Sequence, residues 1–84
     1  MPVSTIQVAR VETLPRVGGT RWVIYPERAK TQRGWTPCYE TLAVWKAALC
    51  ESAKRLGAPL TIVWTETKYG RQIIRLTMGE RPND

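Results

Sequence analysis

The chain has no histidine and no phenylalanine, and only two cysteines in 84 residues. Without histidine, acid–base chemistry near neutral pH would have to rest on the seven Asp and Glu residues. These are scattered, and no two form a pairing suited to proton transfer. The sequence is therefore read as that of a non-enzymatic protein. Two cysteines without histidine also cannot complete a four-ligand zinc site of the usual kind, so neither a metal nor a cofactor is expected. A glycine-rich phosphate loop is missing as well: Gly18-Gly19 has neither the further glycines nor the Gly-Lys-Ser/Thr ending of such motifs, and reads as a turn. No apolar run reaches the ~18 residues that span a bilayer. Met1-Pro2-Val3-Ser4 shows no basic segment leading into an apolar one, which points to a cytoplasmic protein with no membrane partner.

What is present fits an ordinary globular chain, with 43% hydrophobic and 24% charged residues. The expectation is a single small domain over residues 1–84, with 79–84 as a flexible polar tail. Four tryptophans supply bulk that the missing phenylalanines do not, each able to bury about 200 Å². Lys and Arg number 13 against seven acids, a net charge of +6. Such a field draws in polyanions, either nucleic acid or an acidic protein surface.

Along the chain, residues 5–13 and 20–25 are rich in β-branched types and flank the turn-forming stretch Leu14-Pro15-Arg16-Val17-Gly18-Gly19, which predicts a hairpin. Pro26 ends its second strand, and residues 27–34 form an exposed basic loop without periodicity. Thr36-Pro37 reads as a helix start, with a capping hydroxyl and a proline at the first helical position; Glu40 complements the dipole. The predicted helix runs over residues 36–56 and stops at Gly57 and Pro59. At 100° per residue Cys38, Leu42, Trp45, Leu49, Ser52 and Leu56 form the core stripe, widened by Ala48 and Ala53. Glu40, Lys46, Ala47, Glu51 and Lys54 face away, with Cys50 among them. Cys38 and Cys50 would lie ~18 Å apart on this helix, too far for a disulfide.

Residues 60–66 and 71–78 around Thr67-Lys68-Tyr69-Gly70 predict a second hairpin. Leu60, Ile62, Trp64, Ile74, Leu76 and Met78 would meet the helix, leaving Thr61, Val63, Thr65, Arg71, Ile73, Arg75 and Thr77 on a bare face. The fold class is α+β, ββαββ: a four-stranded, mainly antiparallel sheet with one amphipathic helix packed on one face.

One helix cannot make a helix-turn-helix, and no RNP pattern is present. The candidate binding surface is therefore generic: Arg28, Lys30 and Arg33 in the loop, Arg71 and Arg75 around Ile73 on the bare face, and Trp35, Tyr25 and Tyr69 as stacking groups. Cations that meet phosphates and aromatics that stack on bases are what sequence-tolerant nucleic-acid binding requires. An apolar centre at Val63 and Ile73 with a polar rim also suits an acidic protein partner, as in a small interaction or inhibitor module of a phage or mobile element. A homodimer through this face or an edge strand is a further expectation, unranked against a foreign partner.

Two resemblances accompany this reading. Between Gly18 and Trp35, the pair Tyr25-Pro26 followed ten residues on by Gly34-Trp35 resembles the MbtH-like proteins, with Tyr25 where they carry Trp and without their Trp-Thr-Asp ending. That resemblance implies an adenylation domain of a peptide synthetase as partner. Gly18-Gly19, Trp22, Gly57-Ala58, Leu60 and Gly70-Arg71 are similar to small bacterial ββαββ domains of unknown function, which implies the fold and no activity.

Overall fold

A computed structural model of the chain describes residues 2–27, 38–68 and 70–79. Its elements are β1 (Val3–Ile6), β2 (Val8–Arg16), β3 (Gly19–Pro26), β4 (Tyr39–Thr41), α1 (Val44–Leu56), β5 (Leu60–Thr67) and β6 (Gly70–Met78). They make an α+β fold with one mixed, mostly antiparallel sheet of six strands, ordered β1-β5-β6-β4-β3-β2. The two expected hairpins are β2–β3 and β5–β6, the first turning at Gly18 with φ +83°. The expected count of four strands is corrected to six by β1 and β4.

The extra strands have local causes. The extended stretch from Thr5 to Thr13 is interrupted at Gln7, whose carbonyl accepts the Glu27 N–H at 2.8 Å. The residues before that break pair with β5, and those after it pair with β3. β4 occupies what the sequence reading assigned to the first turns of the helix. Its three residues are all buried, antiparallel to β3 (Val23 opposite Glu40) and parallel to β6 (Glu40 opposite Gln72). Thr36-Pro37 lies outside the described residues; the helix itself begins at Val44. The threonine that organises its entry is Thr41, whose Oγ1 accepts the Ala43 N–H at 3.1 Å. Ala43, the extended N-cap, has no side-chain cap of its own. The C-terminus follows the expectation: Gly57 is left-handed at φ +64°, and the Ala58 N–H returns to the Ala53 carbonyl at 3.0 Å.

The helix is rotated relative to its apolar stripe. Ala47, Cys50 and Ala53 are buried, whereas Leu42, Trp45 and Leu56 are 50%, 59% and 54% exposed. Volume explains the choice. The sheet already presents Ile24, Tyr39, Leu60, Ile62, Ile73 and Leu76 to this core, so beside small helix residues the close-packed interior admits Leu49 of the expected stripe at its margin and leaves Trp45 outside. Cys38 lies outside the helix, half-buried, and both cysteines are free thiols.

Cys50 was expected on the outer face and is instead fully buried. Burial pushes its thiol up to about 12, with the charge of Glu51 adding to the rise and a backbone hydrogen bond opposing it. An acid whose folded pKa lies above its unfolded value near 8.5 contributes stability below that pH and loses it as pH climbs toward 12. The wild type should therefore lose more stability between neutral pH and about pH 11 than Cys50→Ala does, in urea titrations. Parallel curves for the two proteins would contradict the buried thiol.

In the second hairpin the register jumps from Val63 opposite Arg75 to Trp64 opposite Ile73, a β-bulge that leaves Ile74 without a cross-strand partner. Leu76 and Met78 reach the core as expected, and the bulge reverses the facing of the residues before them. Ile73, expected on the bare face, is 5% exposed in the core, while Ile74, expected inside, is 38% exposed. Lys46 closes the irregularity from the helix, its Nζ donating to the carbonyls of Ile73 at 3.1 Å and Ile74 at 3.0 Å. It was expected to face away.

Candidate functional site

The bulge also separates the arginines that the sequence placed together. Arg71 lies on the helix side, its guanidinium 3.9 Å from the centre of the Trp64 ring and donating to Tyr39 Oη at 3.4 Å. Arg75, opposite Val63, stays exposed on the other face. Arg28, Lys30, Arg33, Trp35 and Tyr69 lie outside the described residues. Of the expected set, then, Arg71 and Ile73 turn toward the helix, and Arg75 and Tyr25 are placed on the face the helix leaves bare.

That face is furnished mainly by the first hairpin. Alternation along β3 puts Arg21, Val23 and Tyr25 on it, opposite Leu14, Glu12 and Arg10 of β2. The Arg10 guanidinium lies over the Tyr25 ring at 4.3 Å. Arg10 also approaches Glu12 at 3.6 Å, an exposed pair of small energetic weight. Arg16 and Arg75 are exposed and have no carboxylate partner among the described residues. Tyr25 is the one residue of this hairpin that the sequence marks as a stacking group; Arg10, Arg16 and Arg21 are not marked by it. The spacing of two through Arg21, Val23 and Tyr25 carried the signal.

Glu40 sits at the middle of this face, on interior strand β4. It is 8% exposed, and its Oε1 accepts from Arg21 Nη1 at 3.2 Å. Gly70, at φ +125°, runs close beside it: a Cβ there would lie 3.7 Å from Glu40 Oε1. Above Glu40 opens a cavity of about 400 Å³ lined by Arg16, Val17, Arg21, Glu40, Leu42 and Gln72, with Pro15 at its edge. It combines one buried carboxylate, two guanidinium groups, one amide and an apolar wall. Beyond Leu42 the start of the helix exposes Val44 and Trp45.

Comparison with protein-family models, curated proteins and solved structures finds no match to this chain. The likeness to the MbtH-like proteins and to the ββαββ domains thus rests on the quoted residues alone.

Proposed function

We propose that this protein is a non-enzymatic binding module that takes up nucleic acid on the sheet face opposite the helix, mainly through backbone phosphates and with tolerance of sequence. The observation that supports it is that Arg16 and Arg75, without a carboxylate partner among the described residues, lie on the same face as the stacked Arg10 and Tyr25. Two exposed guanidinium groups offer phosphate contacts, and a half-buried aromatic ring under a third offers a stacking platform. Labelled single-stranded DNA and RNA titrated at about 50 mM and about 200 mM salt test this: three or four phosphate contacts predict a loss of affinity of about 20- to 50-fold. Absence of binding to either at the lower salt overturns it.

A second reading, an acidic protein partner, is favoured by the exposure of Leu42, Val44 and Trp45 at the helix start. Exposed apolar groups beside cations resemble the centre and rim of a protein interface. The charge of +6 on each copy works against a homodimer and for a foreign acidic surface.

A further inference from the structure

We infer that the cavity above Glu40 holds a single unstacked nucleobase that bears an exocyclic amino group. This rests on the nucleic-acid reading and gives it a degree of base preference.

The Glu40 side chain is 10% exposed, and its Oε1 is engaged by Arg21. Its Oε2 has no donor among the described residues. Because Glu40 lines an open cavity, a ligand there can supply an N–H to its carboxylate.

The surrounding charges narrow the kind of donor. Arg16 and Arg21 stand on the same cavity wall, so a cationic donor approaching Glu40 meets two like charges against one opposite charge. A neutral amino group meets no such opposition. The arginine on the rim, Arg16, is left to receive a phosphate.

Shape and polarity fit a base. The volume of about 400 Å³ falls in the ordinary range for small-molecule sites. Leu42 and Val17 give an apolar surface for a flat ring, and the Gln72 amide, paired with Glu40 across the β4–β6 ladder, offers one donor and one acceptor to a base edge. A carboxylate accepting from the cytosine amino group is a recurrent pairing. Uracil presents a carbonyl oxygen at the same position, which would face the carboxylate oxygen and be rejected.

The experiment compares labelled oligo(dC) and oligo(dU) of about 12 nucleotides, within the usual site size for single strands, at about 50 mM salt. Wild type should bind oligo(dC) about tenfold more tightly. Glu40→Gln and, separately, Gln72→Ala should bring the two within about twofold while keeping the salt dependence. Circular dichroism checks that each variant folds, and if Glu40→Gln does not, Gln72→Ala decides alone. Equal binding of the two oligonucleotides by wild type overturns the base pocket and leaves the phosphate-binding face standing. A cytosine preference that survives in every folded variant also overturns it, since the base is then read elsewhere. Failure of both oligonucleotides to bind removes both readings.

Discussion

Ile24→Ala is expected to lower the unfolding free energy by about 2–5 kcal/mol, the usual cost of emptying a buried aliphatic site. Ile24 is 0% exposed on β3, on the side facing the helix, and packs in one cluster with Val8, Tyr39, Cys50 and Leu60. A chain of 84 residues has one such core, and total stabilities of small domains are only about 5–15 kcal/mol. The loss is thus a large part of what holds the protein folded. Trp45→Ala is the informative comparison. Trp45 is the larger side chain, yet it is 59% exposed and should cost no more than about 1 kcal/mol. Urea midpoints for the three proteins check this. Equal losses for the two variants would return Trp45 to the core and restore the helix face that periodicity selected.

The second large effect concerns binding. Arg16→Glu combined with Arg75→Glu takes the net charge from +6 to +2, and replaces two phosphate contacts by two repulsions. At about 50 mM salt the affinity for single-stranded nucleic acid should fall about 100-fold or more, and the salt slope should flatten by about 1.4. Stability should stay within about 0.5 kcal/mol, since both side chains are exposed. Lys54→Glu with Arg55→Glu makes the same change in net charge on the last turn of the helix, away from the proposed face. Its smaller effect would distinguish local contact from general attraction. If the two double variants weaken binding equally, the sheet face has no special part.

Much of the fold was legible because its signals are short-range. Gly18 and Gly70 at their turns, Gly57 after the helix and the β-branched runs on either side each encode their element within a few residues. The class α+β and both hairpins follow from them. The strand β4 was illegible for the opposite reason. Three residues carry no periodicity, and Thr36-Pro37 offered a plausible cap upstream. What makes Tyr39, Glu40 and Thr41 a strand is the pair of neighbours on either side, which are distant in sequence. Likewise, the hydrophobic pattern identifies apolar residues on a helix but not the space left opposite them, so it chose Trp45 over Ala47.

The site suffered most from the bulge. A strict alternation through β6 sets Arg71, Ile73 and Arg75 side by side, and one additional residue at Ile74 is enough to undo that arrangement. No composition or spacing within residues 71–78 announces it. The face that remains was written in the first hairpin, at Arg10, Arg21 and Tyr25, where alternation is unbroken between the two strands from Arg10 onward.

The sheet also has a seam. On one side of it lie β3 and β2, on the other β6, β5 and β1, and each group is stitched internally by long antiparallel ladders. Between them runs β4, joined to β6 at two positions among the described residues, Tyr39 with Arg71 and Glu40 with Gln72. Each hairpin pairs residues close in sequence, whereas this short parallel stitch joins residues about thirty apart and carries the higher loop-closure cost. Backbone amides along the stitch then report whether the halves move as one body, and Glu40 and Gln72, which share the cavity wall, sit on that joint.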